Sequence, residues 1–172
     1  MVARILVALD NSASRTCVFE EALALARQEG ARLMLLHVLS TDERDPSPLN
    51  TLIPYDCSIS REELVEQYQQ QQQQAEQQAL EALQELADRA RLIGVPVEVK
   101  QLIGNPRELI CYTARTWNAD LIVMGRHKRS WISQWLMGSV SHVVEHHAPC
   151  SIRIVPQPPV NSTEKTLERS NA

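Results

Sequence analysis

Apolar residues fall into short, nearly unbroken runs separated by stretches of helical spacing, and that alternation sets the first expectation. In "ARILVALD", Ile5, Leu6, Val7, Ala8 and Leu9 follow one another before Asp10, as in a strand buried on both faces. After the polar turn "NSAS", Val18, Phe19, Ala22, Leu23, Leu25 and Ala26 recur at helical intervals over Thr16–Glu29, and Gly30 supplies a C-terminal stop. "ARLMLLHVL" reads as a second buried strand. Residues 40–60 then carry Asp, Ser and three prolines, Pro46, Pro48 and Pro54; a connection of that length is functional or disordered, and suits a lid.

From Arg61 to Leu92 the pattern is one long helix, because Leu64, Tyr68, Ala75, Ala79, Leu83, Leu86 and Ala90 stay near one side. Its low-complexity run Gln69–Gln74 keeps that register and reads as a solvated or partner-facing part of the helix. "GVPVEVKQLI" alternates Val95, Val97, Val99 and Leu102, which predicts a third strand less buried than the first two. "GNPRELI" is a helix start, with Asn105 as cap, Pro106 in the first helical position and Glu108 where a capping box puts its carboxylate; this helix runs to about Trp117. "ADLIVMG" and "SIRIVP" are the fourth and fifth strands, with a helix over Ser139–His147 between them. The tail 157–172 has too little apolar surface to pack and is expected to be disordered.

Strands alternating with helices imply an α/β fold, an open, doubly wound, five-stranded parallel sheet with helices on both faces. In such sheets ligands bind outside the carboxyl ends of the strands, where the strand order reverses. The 172 residues are read as one domain over 1–156. A net charge of -4 argues against general nucleic-acid binding, although "RHKR" is a local basic knot. Cys17, Cys57, Cys111 and Cys150 have no metal-ligand spacing, which favours reduced thiols. With no stretch near the roughly 20 apolar residues of a membrane span, the expected location is cytoplasmic.

The chemistry-bearing stretch is "MGRHKRSWISQWLMGSVS", where Gly125 follows the fourth strand and Gly138-Ser139 precede a helix. Glycines at both ends of a strand-to-helix junction let backbone amides converge on a phosphate. Asp10 ends the first strand, where such sheets take ligands, and reads as a ligand contact or else as the cap partner of "NSAS". Trp131, Ile132, Trp135, Leu136 and Met137 form an apolar face within the loop, packed on the domain or met by a partner. His37 reads as a satisfied core or cleft histidine, and His146-His147 as a structural helix end without a metal. No nucleophile, base and orienting group occur together, so no enzyme is expected; slow phosphoryl chemistry is the least supported reading.

In order along the chain, "ILVALDNSAS", "GNPRELI", "ADLIVMGRHKRS" and "LMGSVSHVVEHHAPCSIRIV" resemble the universal stress protein family over about Val2–Pro156. The resemblance implies a fold like that of the adenine nucleotide alpha hydrolases, a homodimer formed through the last strand, Ser151–Pro156, and a protein partner not specified by the sequence. It also implies, for one subgroup, ATP held with Mg2+ by a G-2x-G-9x-G-[ST] pattern. Gly125, Gly138 and Ser139 match that pattern, and Lys128 replaces its middle glycine. By the same resemblance Asp10 and Val38 would contact the adenosine part, Gly125 would admit ribose and phosphate, Ser139 and Val140 would meet phosphates, and Ala8, Leu9 and Met124 would be wall residues. At Lys128 a positive φ would cost on the order of 1 kcal/mol against the roughly 8 kcal/mol of a micromolar complex. A Cβ there could block the loop, while the ammonium could itself bind phosphate. The implied function is therefore a stress-response module that binds an adenine nucleotide; the alternative is a dimeric interaction module of the same family that binds none.

Overall fold

The computed structural model describes residues 2–12, 14–39, 61–126 and 140–156. Its elements run β1 (Arg4–Leu9), α1 (Arg15–Glu29), β2 (Arg32–Leu39), α2 (Arg61–Leu92), β3 (Val97–Ile103), α3 (Pro106–Thr116), β4 (Leu121–Gly125), α4 (Val140–His147) and β5 (Ser151–Val155). The strands form one five-stranded sheet in the order β3-β2-β1-β4-β5, and every pairing is parallel. The chain builds outward from β1 to β3, then returns to the other side of β1 for β4 and β5, so the strand order reverses between β1 and β4.

Strict alternation along each strand divides the apolar residues between two cores. Ile5, Val7 and Leu9 of β1 and Leu33 and Leu35 of β2 join Val18, Phe19 and Ala22 of α1 and Leu83, Ala87 and Ala90 of α2. On the opposite face Leu6, Met34, Leu36, Ile122 and Met124 pack with Ile110, Cys111 and Ala114 of α3 and Val144 of α4. Central strands sandwiched in this way have no polar side to show, which is why their sequences are continuous apolar runs. β3 lies at the sheet's edge, so its residues are only half-buried or exposed; the lesser burial read from its alternating sequence has that cause.

Local signals set several boundaries. Gly30 takes a left-handed conformation (φ 66°) that ends α1, its N–H reaching the Ala26 carbonyl, a geometry that glycine adopts without a Cβ penalty. Asn105 caps α3 by accepting from the Arg107 amide at 3.0 Å, with Pro106 directly after it. α2 divides in character along its length: Ala79, Leu83, Leu86, Ala87 and Ala90 are buried, whereas Gln69–Gln74 are exposed. Ala75, placed by pattern on the packed side, is exposed as well. Arg89 anchors the packed half, pairing with Glu20 of α1 and lying 5.2 Å from the centre of the Phe19 ring. At the sheet's other edge, Arg153 of β5 pairs with Glu21 of α1.

The amino ends of the strands are tied by polar groups. Asp120 Oδ2 accepts from the amides of Ala3 and Arg4, both at 2.9 Å, and the Arg4 guanidinium donates to the Trp117 carbonyl at 2.7 Å. The connection 40–60, the loop face from Trp131 to Met137 and the tail 157–172 lie outside the described residues. Among the described residues no helix is long and apolar enough to cross a membrane.

Candidate functional site

The strand order reverses between β1 and β4, and the carboxyl ends of strands at such a reversal are the position where open α/β sheets take ligands. Of the ten residues the sequence pointed to, seven are described. Ala8, Val38 and Val140 are half-buried and pack on the α3/α4-side core that contains Met124. These four come from β1, β2, the start of α4 and β4, and they form an apolar shelf on one side of the sheet. Leu9 goes the other way: its side chain is buried in the α1/α2-side core, because neighbouring residues of a strand face opposite sides. Only the Leu9 backbone could meet a ligand on the shelf. Lys128, Gly138 and Ser139 lie outside the described residues.

Asp10 stands exposed at the end of β1. Its Oδ1 accepts from the Ser12 amide at 3.0 Å and the Ser12 hydroxyl at 2.6 Å, an Asx-type turn in which the side chain replaces a backbone acceptor. This geometry bears out the local reading of Asp10 as the partner of the "NSAS" turn. The carboxylate shapes the turn into α1, yet the helix is capped at Ser14, whose side chain makes no cap bond. The Ser14 hydroxyl lies 2.6 Å from that of Ser12. Arg15 then closes the turn from the far side, its Nε donating to the Asp10 carbonyl at 2.7 Å and its guanidinium also bonding the Asn11 side chain.

Gly125 shows a requirement that the sequence did not reveal. A Cβ built there would lie 3.2 Å from Val18 Cγ2 and 3.3 Å from Ser14 Oγ, closer than such contacts normally come. Glycine at this position therefore lets α1 sit tightly against β4, on the α1/α2 side. Through Ser14 and Ser12, the end of β4 is linked to the Asp10 carboxylate. The signal was present in the sequence as a glycine ending a strand, and such a residue marks a close approach of any kind.

His37 departs from expectation. It is buried at 5% exposure, and its Nδ1 has no hydrogen-bond partner among the described residues. Burial pushes its pKa below the usual 6.5, the Arg15 charge lowers it further, and Asp10 acts in the opposite sense. The imidazole is therefore held neutral beside the β1–α1 turn. Above that turn a cleft of about 360 Å³ opens between Asn11 and Arg15 and the α2 residues Ala75, Gln78 and Ala79. It includes none of the ten candidate site residues. The thiols of Cys17, Cys111 and Cys150 are free, and burial raises the pKa of the last two, which makes them poor nucleophiles.

A five-stranded parallel sheet with helices on both faces defines an open, doubly wound α/β protein. The pattern of the Universal stress protein family matches residues 1–156, and this chain belongs to that family. Universal stress protein Sll1388 of Synechocystis is 32% identical over 156 residues, 88% of this chain and 96% of that protein. Among solved structures, the hypothetical protein MJ0577 aligns with a TM-score of 0.69 at 19% identity, over 93% of this chain and 99% of that one. A universal stress protein family protein of Arabidopsis thaliana with AMP bound aligns with a TM-score of 0.61 at 19% identity, over 91% of this chain and 93% of that one.

Proposed function

We propose that this stress-response protein binds an adenine nucleotide, ATP with Mg2+, in the crevice at the carboxyl ends of β1, β2 and β4, and that it acts as a regulatory module and not as a catalyst. The observation that carries the reading is the shelf of Ala8, Val38, Met124 and Val140, half-open and apolar beside an exposed carboxylate. A purine ring is flat and largely apolar on its faces, so burying it on such a shelf is favourable, while its edge would be met by backbone groups of β1 and β2. Both bonds that Asp10 accepts fall on Oδ1, so a ribose hydroxyl would be met by Oδ2. The phosphates would extend toward Gly125, Lys128, Gly138, Ser139 and the amide of Val140, at a helix start where negative charge is favoured. The AMP carried by the Arabidopsis relative supports the adenine part of this reading.

Calorimetric titration with ATP and Mg2+ tests it. Heat corresponding to one site per chain is expected; absence of heat at millimolar nucleotide overturns it. Val38→Asp, which places a charge on the shelf, should weaken binding by at least about tenfold. The exposed, glutamine-rich half of α2 favours a companion role in protein contact. Pairing of β5 with its copy across the sheet edge would give a homodimer, and light scattering that finds only the 19.4 kDa chain would refute the dimer.

A further inference from the structure

The cleft on the α1/α2 side of the sheet lies away from the apolar shelf and takes no part in the nucleotide reading. It measures about 360 Å³ and is lined by Asn11 and Arg15, around the start of α1, and by Ala75, Gln78 and Ala79 of α2, a volume within the roughly 300–1,000 Å³ of small-molecule sites. At this level of the sheet, Leu9, His37 and Gln101 stand in register across β1, β2 and β3. Leu9 belongs to the α1/α2-side core, and Gln101 reaches the same turn of α2, its Nε2 donating to the Glu76 carbonyl at 3.1 Å. Between them His37 is buried, and its Nδ1 has no hydrogen-bond partner among the described residues. A buried polar atom without a partner calls for an explanation. Arg15 is near enough for its charge to act on the imidazole.

We propose that this cleft is a second ligand site, for a small monocarboxylate with a short aliphatic chain. Among the described residues that line it, Arg15 alone is charged, and it forms no ion pair with a described carboxylate. Its Nε is engaged by the Asp10 carbonyl and its Nη2 by the Asn11 side chain. These bonds occupy one side of the guanidinium and leave the end-on fork of Nη1 and Nη2, the geometry that holds a carboxylate by two parallel bonds. With its proton on Nδ1, the neutral His37 ring donates to the same carboxylate, which supplies the partner that this nitrogen lacks. A single guanidinium near the Asp10 carboxylate suits a singly charged acid over a doubly charged phosphate. Ala75 and Ala79 offer methyl groups to the aliphatic chain, and the Gln78 amide stands at the exposed rim. The site is independent of the nucleotide shelf, and its test involves no nucleotide.

NMR titration of the full-length protein with sodium hexanoate, at an ionic strength held constant with sodium chloride, tests the proposal. One saturable set of shifts is expected, including the His37 ring and the amides of Asn11, Arg15 and Gln78. Gln78→Glu sets a negative charge at the rim and Ala75→Leu narrows the cleft; each should weaken binding by about tenfold. Both positions are exposed, so the fold is expected to stand, and circular dichroism checks it. Arg15→Gln should abolish the shifts, although Arg15 also closes the Asp10 turn, which is why the two α2 variants carry the decision. Gln73→Glu, the same change of charge on an exposed residue of α2 outside the cleft, should bind as the wild type does. Hexanol, with the same chain and no charge, and inorganic phosphate should each bind at least about tenfold more weakly than hexanoate. The absence of saturable shifts in the wild type would overturn the proposal, as would hexanol or phosphate matching hexanoate, undiminished binding in Gln78→Glu and Ala75→Leu, or an equal loss in Gln73→Glu.

Discussion

The two faces of the sheet differ most at its carboxyl end, although the same strands build both. On the α1/α2 face Leu9 and His37 are buried, and a Cβ at Gly125 would crowd Ser14 and Val18. One residue along, the other face presents Ala8 and Val38 half-buried, beside Met124 and Val140. The sealed face places α1 firmly on β1 and β4, and with it the turn that carries Asp10. The half-open face leaves Ala8, Val38 and Val140 only partly covered. Rigidity and vacancy are adjacent in sequence and opposite in space, because the strand period is two.

The largest test of this contrast strikes the sealed face. Phe19 is fully buried and lies beneath the Arg89 guanidinium, so Phe19→Ala should cost about 3–5 kcal/mol in denaturant unfolding. A change on the half-open shelf, such as Val38→Ala, should cost clearly less; equal losses would erase the distinction. A finer probe is Gly125→Ala, whose methyl must displace Val18 or Ser14, at about 1–3 kcal/mol. Because Ser14 touches Ser12 and Ser12 holds Asp10, this substitution should also weaken nucleotide binding, and unchanged stability would show that α1 does not pack as closely as described.

The smallest effect is one of pH. His37 is kept neutral in the folded chain by burial and by Arg15, so its folded pKa lies below its unfolded one. Its stabilising share is complete above about pH 6.5 and is lost as the pH falls below that value, because the unfolded chain then takes up a proton that the native state refuses. The slope from one such group is at most about 1.4 kcal/mol per pH unit. In His37→Gln the stability difference between pH 7.5 and 5.5 should shrink accordingly, as read from urea midpoints, and an unaltered pH profile would contradict the burial of a neutral ring.

The strands, their order of appearance, the cap at Asn105 and the stop at Gly30 were all legible along the chain, because each is declared by a pattern within a few residues. Apolar runs of four or five residues declare burial on both faces whatever the topology, and a proline after asparagine declares a helix start. Even the alternation of β3 declared its lesser burial. The sidedness of individual residues was not legible in the same way. Ala8 and Leu9 look alike as wall residues, and only the packing of α1 and α2 on one face decided which of them is sealed. Gly125 reads equally as a phosphate-loop glycine or as a packing glycine until α1 is set against β4. His37 Nδ1 has no hydrogen-bond partner among the described residues, and the ring that meets His146 is that of His142 and not the adjacent His147. Local pattern determines which segments become strands and helices, since hydrogen bonding and burial period act over short distances; the meeting of β1, β4 and α1 at one rim belongs to the tertiary structure, because it depends on residues more than a hundred positions apart.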